Sequence, residues 1–75
     1  MDIVDILIHV HADLSPEQRT AIEEAVSACD GVVSVHFSPQ HAHELTVAYD
    51  PAGIDSRVIL EQVRRWDAAA TMAGL

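Results

Sequence analysis

Apolar and polar residues alternate along this chain in two different periods, and the changes of period mark out six elements. From Ile3 to Val10 the period is two: Ile6, Ile8 and Val10 share one face, and Asp5, Leu7, His9 and His11 share the other, which predicts a first strand rich in β-branched residues. The period then lengthens. Ile22, Val26 and Cys29, flanked by Ala21 and Ala25, recur at helical spacing, while Glu17, Arg19, Glu23 and Glu24 occupy the opposite side. The start of this helix is specified by side-chain chemistry, with Ser15 at the N-cap, Pro16 at the first helical position and Gln18 three residues after the cap. Asp30-Gly31 stops it at about Cys29, with Gly31 suited to a left-handed cap.

Period two returns in Val32 to Phe37, where Val33, Val35 and Phe37 alternate with Ser34 and His36, and again in Glu44 to Tyr49, where Leu45, Val47 and Tyr49 alternate with Glu44, Thr46 and Ala48. The turn-rich Ser38 to Ala42 makes these strands a hairpin. Asp50-Pro51-Ala52-Gly53 interrupts the pattern. Asp55 or Ser56 then caps a second helix running through Arg65, with Ile59, Val63 and Trp66 as its buried stripe. An Ala-rich fourth strand is expected at about Ala68 to Met72. The order βαββαβ predicts an α+β, ferredoxin-like sandwich: a four-stranded antiparallel sheet in the order four, one, three, two, with both helices on one face. In that topology the end of strand one, the hairpin and the loop after helix two gather at one edge.

Composition narrows the class. With 75 residues the chain reads as a single domain, 1–75, and with 49% hydrophobic and 21% charged residues it is able to fill a core. The net charge of −8, from twelve carboxylates against four arginines, opposes nucleic acid and anionic lipid and favours cations or basic proteins as partners. Acids in the first ten residues and the lack of a long apolar run point to a soluble protein that stays in the cytoplasm. One cysteine allows neither an internal disulfide nor a paired-cysteine site, and Cys29 reads as core. No phosphate loop, nucleophile with an adjacent base, or HExxH stretch is present, so the reading is of a non-enzyme.

The turn Asp30-Gly31-Val32, the strand Val35-His36-Phe37, the stretch Leu45-Thr46-Val47-Ala48-Tyr49-Asp50-Pro51 and the later Ile54-Asp55 together resemble the heavy-metal-associated domain of metallochaperones and metal-transporting ATPases. The resemblance implies the same sandwich, with a metal ion as ligand and a transporter or other protein as partner. It departs at the metal loop. Counting back from Gly31, that family's two ligating cysteines fall on Ser15 and Gln18 and the preceding methionine on Asp13, so its copper(I) site has no counterpart here, and Cys29 matches a buried position of its first helix.

Histidine supplies the remaining chemistry. All five histidines lie between His9 and His43, in segments the topology draws to one end of the sheet. His9 and His11, two apart on a strand, would project from one face roughly 7 Å apart at the backbone. His41 and His43 repeat that spacing beside the entry to strand three. The candidate ligands are His9, His11 and His43, completed by His41, Asp13 or Glu44. Nitrogen and oxygen donors of this kind suit zinc, nickel, cobalt or copper(II), held by a carrier, buffer or sensor. His36, roughly 10 Å across the sheet, is a supporting surface residue. The competing expectation is an interaction or self-association module, including a homodimer, that uses Leu7 and the uncovered sheet face without metal.

Overall fold

The computed structural model describes residues 2–73. Its elements are β1 (Val4–His9), α1 (Pro16–Ser27), β2 (Val32–Phe37), β3 (Glu44–Tyr49), α2 (Ser56–Arg64) and β4 (Thr71–Met72). The strands form one antiparallel sheet in the order β2-β3-β1-β4, the arrangement expected from the pattern. Along β1 and β3 the alternation decides burial. Ile6, Ile8 and Val10 pack with Leu45, Val47 and Tyr49, and onto them α1 sets Ile22 and Val26 while α2 sets Ile59 and Val63. Both helices therefore cover the same face of the sheet. Burying each of these side chains contributes about 1.5–3 kcal/mol, which is what allows so small a chain to hold a core.

Local chemistry fixes the helix ends. Ser15 Oγ accepts from Gln18 N and Gln18 Oε1 accepts from Ser15 N, a reciprocal pair that satisfies two otherwise orphaned amides. Asp55 caps α2 by accepting from Arg57 N at 2.8 Å. Gly31 takes φ +97° after α1, and a Cβ there would meet Ile54 Cγ2 at 2.9 Å. The Gly31 carbonyl accepts from Asp50 N at 2.8 Å, so the α1–β2 and β3–α2 connections close together at the sheet end remote from the histidines.

Four details differ from the expectation. Val33 is the extra residue of a bulge: Val32 pairs with Tyr49 and Ser34 with Ala48, so Val33 leaves the alternation and is 60% exposed. Cys29 lies beyond the end of α1, half-buried and outside the closed core, with Sγ donating to the Ala25 carbonyl at 3.6 Å. Trp66 is 48% exposed, because α2 ends at Arg64 and the chain turns away before the tryptophan reaches the core. The fourth strand is shorter than expected, since residues 67–70 form a turn in which Asp67 accepts from Ala69 N through its side chain and from Ala70 N through its carbonyl.

Candidate metal centre

Pairing between β1 and β3 brings the histidines together. Glu44 lies opposite His9 in the ladder, and Val10 N donates to the His43 carbonyl at 2.9 Å, so the exit of β1 and the entry of β3 run side by side. On the other side of β1, His9 pairs with Thr71, and His11 N donates to Asp67 Oδ2 at 2.6 Å. The strand end, the hairpin and the α2–β4 loop thus meet at one edge, as the topology required.

Within that edge the side chains sort into two groups. In the first, Glu44 Oε2 stands 3.7 Å from His9 Nε2 and 3.9 Å from His43 Nε2. The His9 and His43 rings lie 5.7 Å apart edge to face, and the His41 ring lies 5.8 Å from that of His43. In the second, His11 Nδ1 accepts from Asp13 N at 3.1 Å and lies 3.9 Å from Asp13 Oδ2. A neutral imidazole that accepts at Nδ1 keeps its proton on Nε2 and has no free lone pair. For His11 to act as a ligand, it must first exchange the Asp13 amide for another partner. His36, paired with Thr46 on β2, is exposed and stands apart from both groups.

The geometry of the first group is near that of a site. Ligand atoms about 2.1 Å from a tetrahedral metal are separated by about 3.4 Å, so the two nitrogen-to-oxygen distances need to close by only about 0.5 Å or less. As placed, no three His, Cys, Asp or Glu side chains among the described residues already converge on a point. The required movement falls on accessible groups: the side chains of His9, His43 and Glu44 are 45%, 42% and 27% exposed, which leaves them rotational freedom and open to a hydrated ion. Two imidazoles and one carboxylate make a borderline-to-hard donor set suited to divalent first-row metals and poorly suited to soft monovalent ones.

Two residues of this edge escaped the sequence reading. Asp67 fixes the position of His11 through its backbone, and Ser38 Oγ accepts from Gln40 N at 3.3 Å and His41 N at 3.2 Å, ordering the hairpin tip. The signals were present in Asp67-Ala68-Ala69 and Ser38-Pro39-Gln40, which are side-chain-capped turn patterns. The surface groove lined by Pro16, Glu17, Thr20, Ala21 and Glu24 lies along α1 and includes none of the histidines.

The strand order, the antiparallel register and the helices on one face define the chain as a ferredoxin-like α+β sandwich. The solved structures it is similar to include oxidized MerP from Ralstonia metallidurans CH34, 14% identical with a TM-score of 0.79 over 96% of this chain and 99% of that one. The copper binding domain of HMA7, a P-type ATPase, is 17% identical with a TM-score of 0.79 over 93% of each chain. The CopZ metallochaperone is 16% identical with a TM-score of 0.75 over 93% of this chain and all of that one, 100%. At such identities the likeness establishes the fold. Neither a family model nor a curated protein matches the sequence.

Proposed function

We propose that this chain is a small metal-binding domain that carries, buffers or senses a divalent transition metal, zinc, nickel, cobalt or copper(II), through histidines at one end of its sheet. The observation that carries the reading is the position of Glu44 Oε2 within 4 Å of two imidazole nitrogens, one from His9 at the end of β1 and one from His43 just before β3. His9, His43 and Glu44 form the centre of the site. His41 is the nearest further imidazole, and His11 with Asp13 flanks the same strand end. The fold supports the reading, since it is shared with a copper binding domain and a metallochaperone, whose ligands are their own.

The reaction is binding and exchange, with the metal as cargo and no bond of a substrate made or broken. The net charge of −8 favours a cation and a basic docking surface, such as that of a transporter or other protein, over nucleic acid or an anionic membrane. Among the described residues no helix is long and apolar enough to cross a membrane. We place the protein in the cytoplasm. Calorimetric titration with nickel or zinc at neutral pH, repeated at about pH 5 where imidazoles take up protons, tests the proposal: binding that acid abolishes supports it, and no binding of any of the four metals overturns it.

The alternative of a metal-free interaction module has one observation in its favour. Ile3, Val4 and Val33 are exposed apolar residues at the sheet end away from the histidines. Association there would survive chelation and the loss of His9, whereas metal-dependent assembly would not. Measuring the solution mass with and without chelator separates the two.

A further inference from the structure

We infer that Ser38, which is neither a candidate ligand nor a core residue, is a positioning residue of the histidine site, acting through His41. The inference rests on the metal-binding reading above and concerns how the fourth donor is delivered. His41 lies outside any strand, at the tip of the β2–β3 hairpin, where an exposed side chain would ordinarily sample many positions. Three hydrogen-bonded links remove that freedom from its backbone. Ser38 Oγ accepts from His41 N at 3.2 Å and from Gln40 N at 3.3 Å. The His41 carbonyl accepts from Glu44 N at 2.9 Å. The Glu44 carbonyl accepts from Ser38 N at 2.9 Å, which closes the circuit. Each of the three residues holds the next, and two of them, His41 and Glu44, are proposed ligands.

The hydroxyl is the one side-chain member of the circuit and therefore the one that substitution removes cleanly. Without it the amides of Gln40 and His41 turn to water, the β2–β3 ladder remains, and the tip loses its fixed geometry. His43 is held independently through its carbonyl to Val10 N, and Glu44 keeps its own two backbone bonds, donating to the His41 carbonyl and accepting from Ser38 N, so the loss of the hydroxyl falls first on His41. A donor that must be ordered at the moment of binding contributes less affinity than one already placed.

The experiment compares Ser38→Ala, Ser38→Thr, His41→Ala and the double variant Ser38→Ala with His41→Ala by nickel and zinc calorimetry, with amide hydrogen exchange at Gln40 and His41 as the second readout. Ser38→Ala is expected to weaken binding about three- to tenfold and to speed exchange at both amides. Ser38→Thr, which keeps the hydroxyl, is expected to restore both, and Ser38→Ala is expected to add no further loss once His41 is gone. Parent-like affinity in Ser38→Ala, failure of Thr to rescue in a folded protein, or additive losses in the double variant each overturn the role of Ser38 while leaving the metal site standing. A parent that binds neither metal overturns the metal reading itself, and the role of Ser38 in the site with it.

Discussion

Glu44 faces His9 directly across the β1–β3 pair, and its Oε2 also reaches to 3.9 Å of His43 Nε2, so one half-buried carboxylate serves two imidazoles. The arrangement follows from register. Leu45 faces the helices opposite Ile8, so Glu44 must face away from them, on the side of His9. Glu44→Gln keeps the shape and removes the charge. It is expected to lower nickel or zinc affinity about tenfold or more, with stability changed by no more than about 0.5 kcal/mol as for an ordinary surface exchange. Calorimetry and a urea titration on the same preparation check both halves.

Gly31 governs the opposite end of the sheet. Its φ of +97° disfavours any L side chain, and a Cβ there would meet Ile54 Cγ2 at 2.9 Å and the Gly53 carbonyl carbon at 3.1 Å. Gly31→Ala is expected to destabilise the domain by about 1–3 kcal/mol, from backbone strain and the clash combined. Metal affinity of the remaining folded protein should be unchanged, because β2 separates this turn from the histidines. Equal melting temperatures for parent and variant would contradict the strain argument.

Cys29 shares that remote end, on the connection between α1 and β2. The thiol therefore stands at the opposite end of the sheet from His9, His43 and Glu44. Cys29→Ala is expected to leave nickel and zinc affinity intact and to cost about 1 kcal/mol of stability, the scale of a small truncation at a half-buried position. A collapse of metal binding in a folded Cys29→Ala protein would show that the thiol, and not the imidazoles, is the ligand.

The pattern of the chain made most of this legible, and its gaps have physical causes. Ile6, Ile8 and Val10 were readable as core because period two assigns a face unambiguously while a strand is regular. Val33 was not, since a bulge is decided by the partner strand: Val32 and Ser34 take successive partners on β3 and leave Val33 out. Trp66 follows Val63 at helical spacing, yet the helix stops at Arg64, and periodicity carries no information past a helix end. The same limit applies to His9 and His11. Their spacing suggests a shared face only if the strand continues, and β1 ends at His9, after which His11 is held by Asp67 through its backbone and turns its ring to Asp13. Pairing of β1 with β3, which depends on topology alone, correctly brought His43 and Glu44 to His9.

Acid acts on the second helix through its cap. The Asp55 carboxyl is held below its ordinary value of 3.8, chiefly by the hydrogen bond from Arg57 N and further by the Arg57 side chain. A depressed folded pKa means that the charged cap contributes its stability in full above the unfolded value, and that this contribution is lost as pH falls through the lower folded value. Asp55→Asn retains a capping oxygen without the charge. The parent should be the more stable of the two at about pH 6, and the difference should shrink as pH falls below about 4. Melts that stay a constant interval apart from about pH 6 to about pH 3 would remove the linkage.

The histidines themselves provide the decisive test, because geometry ranks them. His9 and His43 each place Nε2 within 4 Å of Glu44 Oε2, so His9→Ala and His43→Ala should each weaken nickel or zinc binding about tenfold or more. The double variant should lose high-affinity binding altogether. Both side chains are more than two-fifths exposed, at 45% and 42%, and fill no core volume, so circular dichroism should report an unchanged fold. His11→Ala should cost less than either, since the His11 ring must first give up the Asp13 amide to present a free nitrogen. His36→Ala, on the far side of β3, should cost nothing measurable. The ranking His9 and His43 above His11 above His36 is specific to this register. If all four single variants bind as the parent does, the ion is held elsewhere or not at all. If His36 ranks with His9, the ligands are spread over the open sheet face and the site is not at the strand end.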